Sequence, residues 1–144
     1  MVRKAKKADV EVVAKLAMNV WKGASFEELV VEFENFVRQR NAVVLVKEAD
    51  GKIVGFAQCG LRQDYVEGTC TSPVGYFEGV FIDEDYRKRG FAKELLNACE
   101  NWAREKGCKE FASDCEFANK NSINFHLHSG FNEANKLVCF KKKL

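Results

Sequence analysis

The chain has 144 residues, 47% of them hydrophobic and 12% aromatic, which suits a single domain with a substantial core and excludes a disordered chain. A formal net charge of +2 gives no general signature of polyanion binding, so nucleic acid is not implied as a partner. The charged N-terminus lacks a following apolar segment, and no uncharged run approaches the ~18 residues that a membrane span needs. We therefore expect one domain, residues 1–144, located in the cytoplasm and without a membrane partner.

The cysteines form no pattern typical of a metal centre or a disulfide framework. The chain contains six of them and only two histidines, and no pair has the C-x-x-C spacing. Several lie within otherwise apolar strand or helix patterns, so we expect small buried thiols in a reducing cytoplasm and no metal site. The six are Cys59, Cys70, Cys99, Cys108, Cys115 and Cys139.

The first part of the chain predicts a strand followed by two helices. A short strand at residues 2–5 precedes Asp9, a residue type that often caps helices, and the helix that follows has an apolar stripe ending at Trp21. Gly23 interrupts this helix. The sequence Ser25-Phe26-Glu27-Glu28 has the spacing of a capping box, and apolar residues recur at helical intervals after it, so a second helix follows directly.

Three strands come next, two of them as a hairpin. Strand-forming residues flank the turn Ala49-Asp50-Gly51-Lys52, which predicts strands over residues 42–47 and 52–61. A loop rich in glycine, threonine and serine, Tyr65–Val74, separates the hairpin from a third strand, Tyr76–Ile82.

The last part of the chain predicts a long helix and several short elements. An apolar stripe at helical spacing begins at Phe91, and Gly107 ends it. No linker, repeat or low-complexity segment divides the chain. The remaining predicted elements are a strand at 109–115, a helix at 122–129 ended by Gly130, and two closing strands at 131–133 and 136–142.

The turn before the long helix has the features of a phosphate site. Arg87, Lys88, Arg89 and Gly90 lead directly into the helix, whose first N–H groups lack intrahelical partners and whose dipole favours negative charge. Gly90 lets the backbone approach a phosphate closely, and the neighbouring cations add long-range attraction. The alternative is a basic helix start whose charges are merely solvated.

This turn resembles the acetyl-CoA loop of the GCN5-related N-acetyltransferases. It reads Arg87-Lys88-Arg89-Gly90-Phe91-Ala92, which has the form Gln/Arg-x-x-Gly-x-Gly/Ala. The order of predicted elements also resembles that superfamily along the whole chain. The resemblance implies an α/β (α+β) fold, with a mixed central sheet of about six to seven strands flanked by about four helices.

A narrower resemblance, to the bacterial aminoglycoside 6'-N-acetyltransferases, rests on a loop and several scattered matches. The loop reads Tyr65-Val66-Glu67-Gly68-Thr69, then Thr71-Ser72-Pro73-Val74-Gly75, then Glu78-Gly79. It implies acetyl-CoA as the donor, an aminoglycoside 6'-amine or another polycationic amine as the acceptor, and a homodimer. Two alternatives stay open: an acetyltransferase for another polyamine or a protein amine, and an acetyl-CoA-binding module without turnover. The scattered matches are Trp21, Phe111-Ala112-Ser113-Asp114, Asn119, and His126 followed by Gly130-Phe131.

For the donor, the resemblance implies contacts with the third strand and with the start of the long helix. The backbone N–H groups of Val80, Phe81 and Ile82 would bind the pantetheine arm as an added strand, and one near Val80 could polarise the thioester carbonyl. Asn119 could bond to the cofactor's amides, although a helix cap is its competing role. The residues expected at the phosphates are Arg87, Lys88, Arg89, Gly90, Phe91, Ala92 and Lys93.

For the acceptor, the pocket should combine carboxylates for ammonium groups with aromatic faces for sugar rings. The resemblance assigns Glu78 and Asp114 to the first role, and Trp21 and Tyr65 to the second. Asn135 stands where the resembled enzymes tend to place a glutamate that reaches the substrate. We therefore expect weaker recognition of one ammonium group.

The expected mechanism is direct attack of a neutral amine on the thioester. The attacking amine must lose a proton, and Asp114 is the first candidate for the base, with Glu78 the second. His126 stands where the wider superfamily commonly has a tyrosine. It could protonate the leaving thiolate or contact the cofactor, and the alternative is a helix residue that packs and hydrogen-bonds locally.

Overall fold

A mixed five-stranded sheet forms the centre of the molecule. The computed structural model describes the whole chain, residues 1–144. The sheet has the strand order 1-2-3-4-5, in which the first four strands are antiparallel neighbours and the fifth runs parallel to the fourth. The strands are β1 (Val2–Lys4), β2 (Ala42–Ala49), β3 (Lys52–Arg62), β4 (Val74–Ile82) and β5 (Phe111–Ser113).

Helices cover both faces of this sheet. Side chains alternate across β2, so that Val44 and Val46 pack with α1 and α2, whereas Val43 and Leu45 pack with α3. Burial on both faces explains why β2 reads as a continuous apolar run. No helix is both long and apolar enough to span a bilayer. The helices are α1 (Val10–Ala17), α2 (Phe26–Arg38), α3 (Phe91–Glu105) and α4 (Lys120–His128).

The predicted strand number is wrong, because the chain forms no strand after Phe131. Residues 132–144 are exposed and without regular structure, and they include the apolar side chains Leu137, Val138 and Phe140. The alternating pattern predicts extended backbone here. A strand also needs a neighbour that pairs with its backbone N–H and C=O groups, and the pattern does not supply one.

The first helix is shorter than its apolar stripe predicts. It ends at Ala17, and Trp21 lies in the following turn, with its N–H donating to the carbonyl of Ala17 at 3.0 Å. Within this turn the side chain of Asn19 donates to the carbonyl of Leu16 at 3.1 Å. Such a local side-chain bond competes with helical hydrogen bonding, which explains the early end.

The local signals on either side of β2 are confirmed. The Ser25 hydroxyl accepts from the N–H of Glu28 at 3.1 Å, and the Glu28 carboxylate accepts from the N–H of Ser25 at 2.9 Å, which is the predicted capping box of α2. The β2–β3 hairpin turns at Asp50 and Gly51, both with positive φ.

The cysteines divide into two groups. Cys59, Cys99 and Cys108 are buried as expected, whereas Cys70, Cys115 and Cys139 are exposed, and all six are free thiols. The buried three lie in the core cluster between the sheet and α3. They act there as small apolar side chains.

Candidate active site

The neighbouring strands β4 and β5 separate in the middle of β4. They pair from Gly75 and Phe111 as far as Phe77 and Ser113, and β5 ends there. On its other side, β4 stays paired with β3 through Ile82. One edge of the segment 78–82 is therefore left without a strand partner, and four predicted site residues lie along this gap: Glu78, Val80, Phe81 and Ile82.

A β-bulge places Glu78 at the start of the gap. Gln58 pairs with Gly79, and the next residue, Cys59, pairs with Phe77, so Glu78 is the extra residue on β4. Asp114 follows the last residue of β5 directly. The two predicted acceptor carboxylates thus lie at the two strands where these diverge.

Two residues that the sequence did not single out link these carboxylates. The hydroxyl of Tyr76 donates a hydrogen bond to Asp114. The guanidinium of Arg62 lies over the Tyr76 ring, 3.6 Å from its centroid, and its Nη2 donates to both oxygens of Glu78 at 2.9 and 3.2 Å. The site is a continuous cluster of four side chains, which we call the acceptor cluster: Arg62, Tyr76, Glu78 and Asp114.

The surroundings of the acceptor cluster shift the pKa values of two of its members. Burial raises the pKa of Tyr76, and so does its hydrogen bond to Asp114, so the phenol stays protonated as a donor. Burial tends to lower the pKa of Arg62, but the hydrogen bond and charge of Glu78 outweigh it, so this pKa is raised. One cation and two carboxylates leave the cluster with a net negative charge.

The two predicted aromatic residues occupy different positions. Trp21 packs against Phe33 and Phe56, and its ring lies so close to Gly79 that a β-carbon there would come within 2.7 Å of it. Trp21 therefore borders the residue next to Glu78. Tyr65 is 76% exposed in the segment 63–73, which we call the acceptor loop.

Hydrogen bonds hold the acceptor loop to the rest of the molecule. The Glu110 carboxylate accepts from the N–H groups of Cys70 and Thr71, both at 2.8 Å, and from the Thr71 hydroxyl. The pKa of Glu110 is lowered from its ordinary value, mainly by the hydrogen bond from the Thr71 hydroxyl and further by the two backbone bonds. The loop is thus fixed to the start of β5.

Asn135 lies against the acceptor loop. Its Nδ2 donates to Oε1 of Glu67 at 3.0 Å, and its Oδ1 accepts from the N–H of Lys136 at 2.8 Å. The residue thus ties the C-terminal segment to the loop. At position 135, where the resembled enzymes tend to have a glutamate, this chain has an amide that binds the carboxylate of Glu67.

Both ring nitrogens of His126 have partners within the chain. Nδ1 lies 2.6 Å from the carbonyl of Ser122, so it carries the proton, because a carbonyl only accepts. Nε2 lies 2.8 Å from the hydroxyl of Ser113, and that hydroxyl lies 2.9 Å from the carbonyl of Phe77. His126 is therefore bonded locally, and it also reaches the last residue pair of β4 and β5.

The basic turn has the backbone geometry of an anion site. Gly90 has φ +79°, and Lys88 has φ +61°. The first intrahelical bond of α3 runs from the N–H of Glu94 to the carbonyl of Gly90 at 3.0 Å, which leaves the preceding N–H groups without helical partners. No atom lies within 4 Å of a β-carbon built at Gly90, so glycine serves here for its positive φ and leaves open space above the backbone.

A cavity of about 360 Å³ lies beside this turn. It brings together most of the residues predicted for the donor: Ile82, Arg87, Lys88, Gly90, Phe91, Ala92 and Lys93. Tyr86 and three residues of the α4 region, Phe125, His128 and Ser129, complete the lining, and no pattern in the sequence singles them out.

Four predicted donor residues do not line the cavity. Val80 and Phe81 lie on β4 beside the gap, and the Arg89 guanidinium bonds to the carbonyl of Asp85 at 3.2 Å. The side-chain oxygen of Asn119 accepts from the N–H of Ser122 at 3.1 Å, so the helix-cap role is the one observed.

The comparison with known families decides the class of protein. Residues 10–131 match the family described as the Acetyltransferase (GNAT) family. The chain belongs to this family. The resemblance to this family that was drawn from the sequence is confirmed.

Full-length relatives of this GNAT chain share one name. It is 32% identical over 142 residues to an aminoglycoside N(6')-acetyltransferase type 1 from Salmonella enteritidis, covering 99% of this chain and 98% of the relative. It is 37% identical over 145 residues to one from Stenotrophomonas maltophilia, covering 99% and 93%. The structure of AAC(6')-Iy with the bisubstrate analogue CoA-S-monomethyl-acetylneamine superposes with a TM-score of 0.94, at 32% identity, and covers 100% of this chain and 98% of that chain. The predicted fold is confirmed.

Proposed function

We propose that this chain transfers the acetyl group of acetyl-CoA to the 6'-amine of aminoglycosides by direct attack of the amine. The observation that carries the proposal is the acceptor cluster, where Glu78 and Asp114 lie at one end of the gap. At the other end of the gap, Ile82 lines the cavity beside the basic turn, which we call the donor cavity. The relatives that share this fold are named for the same reaction.

The donor side of the chain fits a CoA thioester. The free N–H groups at the start of α3, together with Arg87, Lys88 and Lys93 around the cavity, suit a pyrophosphate. The unpaired edge of residues 78–82 suits an extended pantetheine arm, since its amides can bond there as a strand would. When bound, acetyl-CoA supplies the activated acetyl group.

The acceptor side fits a polycation with sugar rings. The acceptor cluster carries a net negative charge at the mouth of the gap, and Asp114 is exposed to solvent. Trp21 presents a partly buried ring beside Gly79, and Tyr65 an exposed ring in the acceptor loop. Carboxylates between aromatic surfaces are what ammonium groups on sugar rings require.

Proton transfer assigns roles to three side chains. The amine nitrogen forms a bond to the acetyl carbon as the bond from that carbon to sulfur breaks, and the amine loses one proton. Asp114 accepts this proton, directly or through water, and Tyr76 holds the carboxylate in place by its hydrogen bond. We assign the return of a proton to the thiolate to His126, which for this step needs a second proton, on Nε2, to pass on through the Ser113 hydroxyl 2.8 Å away.

The test is an acetyl-transfer assay with matched acceptors. The purified chain is mixed with acetyl-CoA and either a 6'-amino aminoglycoside or its 6'-hydroxy analogue, and release of the CoA thiol is followed. We expect rapid release only with the 6'-amine, because the hydroxyl is a far weaker nucleophile. Equal rates with both, or release only with simple polyamines or peptides, would overturn the assignment.

We also propose that the chain forms a homodimer. The C-terminal segment exposes Leu137, Val138 and Phe140 at 66%, 78% and 91%, more apolar surface than so short a segment usually presents to water. A second copy of the chain would cover it. Sedimentation velocity should give a dimer for the wild type and a monomer for Val138→Asp/Phe140→Asp, and a wild-type monomer at micromolar concentration would refute the proposal.

For location we propose the cytoplasm. All six cysteines are free, and three of them are exposed. Exposed thiols persist in a reducing compartment. Fractionation of cells that make the protein should recover it with cytoplasmic enzymes, and recovery from the periplasm would contradict the proposal.

A further inference from the structure

Arg62 occupies a position in the site that the proposed reaction leaves unexplained. It is the last residue of β3 and immediately precedes the acceptor loop. Its guanidinium lies over the ring of Tyr76 at 3.6 Å, and Nη2 contacts both carboxylate oxygens of Glu78. A cation of the protein thus already sits on a carboxylate that the substrate needs.

The contacts of this arginine place it between the two acceptor carboxylates. It bonds directly to Glu78, and the ring on which it lies bonds through its hydroxyl to Asp114. An acceptor ammonium group that binds across both oxygens of Glu78 would take the position that Nη2 now occupies, at 2.9 and 3.2 Å from them. Two cations cannot occupy this bridging position at once.

The pair is open enough to exchange partners. The side chains of Arg62 and Glu78 are 44% and 29% exposed, so water reaches both. Ion pairs in such surroundings shift an equilibrium by a factor of about two to five at most. An incoming ammonium group can therefore displace the guanidinium at a small cost.

We propose that Arg62 and the acceptor's ammonium group are alternative partners of Glu78, so that Arg62 is a built-in competitor of the substrate. This inference rests on the proposed acetylation of aminoglycosides. In the empty enzyme Arg62 neutralises Glu78, and in the complex the substrate replaces it. Arg62 thereby lowers the affinity of the site for cations, so that only a cation that binds strongly enough to displace it occupies Glu78.

The same exchange favours release of the product. Where the group at Glu78 is the 6'-amine itself, acetylation converts it into a neutral amide, which no longer competes for the carboxylate. The guanidinium of Arg62 is tethered to β3 and close by, so it returns to Glu78. The guanidinium of Arg62 replaces the substrate's ammonium group at Glu78, so the carboxylate is not left without a cationic partner.

A positioning role for Arg62 predicts the opposite effect on binding. If the guanidinium served only to orient Glu78 and Tyr76 for the substrate, its removal would weaken the complex. If it competes with the substrate, its removal strengthens the complex, and only while Glu78 is charged. The sign of the change in affinity separates the two roles.

The experiment is a double-mutant cycle on the full chain. Calorimetry at low salt measures the Kd of a 6'-amino aminoglycoside for the wild type, Arg62→Gln, Arg62→Lys, Glu78→Gln and the double variant Arg62→Gln/Glu78→Gln. Acetyl-CoA binding and thermal unfolding check that each variant is folded. CoA thiol release is measured on the same samples.

We expect Arg62→Gln to lower the Kd about two- to fivefold, and Arg62→Lys, which keeps the charge, to leave it near the wild-type value. In the Glu78→Gln background, Arg62→Gln should change nothing. A raised Kd in Arg62→Gln, or the same gain without Glu78, would overturn the inference. A wild type that binds the drug but releases no thiol would refute the proposed reaction alone, and a wild type that does not bind it would refute both.

Discussion

The hydroxyl of Tyr76 donates a hydrogen bond to the carboxylate of Asp114 across the point where β4 and β5 stop pairing. Tyr76 is buried and its pKa is raised, so it remains a donor at neutral pH. Asp114 is exposed and follows the end of its strand. Tyr76, held within β4, thus orients the carboxylate of Asp114, which lies just beyond the end of β5.

Tyr76→Phe should therefore reduce turnover without affecting the donor site. The variant keeps the ring beneath Arg62 and removes only the hydroxyl. Hydrogen bonds to charged groups contribute about 1.5–3 kcal/mol, so we expect kcat for a 6'-amino aminoglycoside to fall roughly tenfold to a hundredfold. Thiol release at saturating acetyl-CoA measures this. An unchanged kcat would mean that Asp114 needs no such support.

The positive φ of Gly90 leads to a prediction about the donor. A β-branched residue in this left-handed conformation costs about 1–2 kcal/mol or more, and its side chain would enter the space above the free N–H groups. Gly90→Val should weaken acetyl-CoA binding by calorimetry.

Gly107 offers a matched control for this variant. It has φ +88° at the other end of α3 and, like Gly90, nothing within 4 Å of a built β-carbon. We expect Gly107→Val to lower the melting temperature to a similar degree while the Kd of acetyl-CoA stays unchanged. An equal loss of acetyl-CoA affinity in both variants would point to general unfolding.

The parts of the structure that follow from short-range rules could be predicted from the sequence. The capping box at Ser25 and the hairpin turn at Asp50 and Gly51 are set by residues within four positions of each other. The basic turn before Phe91 is of the same kind. Such signals need no knowledge of the rest of the chain.

The acceptor cluster could not be predicted in full, because it depends on register across a long loop. Arg62 reaches Glu78 only because Gly60 pairs with Tyr76, and the loop of residues 63–73 hides that register from the sequence. In a regular strand, side chains two residues apart share a face of the sheet, but the β-bulge at Glu78 interrupts this alternation, and the sequence pattern does not reveal the bulge. The prediction of two C-terminal strands was wrong for a related reason, since a strand needs a pairing partner elsewhere in the chain and residues 132–144 pair with no strand.

The acceptor loop should become sensitive to acid through Glu110. Hydrogen bonds lower the pKa of this carboxyl in the folded chain below its ordinary value, so they stabilise the fold above that value. The contribution is lost as pH falls through the lowered pKa. Glu110→Gln should therefore melt below the wild type at pH 7, and the difference should shrink toward pH 3.

The pH series separates this effect from a general loss of packing. Thermal unfolding followed by circular dichroism at each pH gives the difference in melting temperature between the two proteins. A difference that stays constant from pH 7 to pH 3 would show that ionisation of Glu110 does not hold the loop. At pH 7 the variant should also show a raised KM for the aminoglycoside, with acetyl-CoA binding intact.

The close approach of Trp21 to Gly79 predicts that a single methyl group will disturb the acceptor site. A β-carbon at Gly79 would lie 2.7 Å from Cη2 and 2.8 Å from Cζ2 of Trp21, so the indole must move away from the residue next to Glu78. Overpacking of this kind costs about 1–3 kcal/mol. We expect Gly79→Ala to raise the KM of the aminoglycoside several-fold with little change in the Kd of acetyl-CoA.

Gly60→Ala, on β3, is the matched control. The nearest atom to a β-carbon built at Gly60 lies 3.7 Å away, so this variant should leave the KM unchanged. Equal KM values for the two variants would mean that Trp21 does not contact the acceptor.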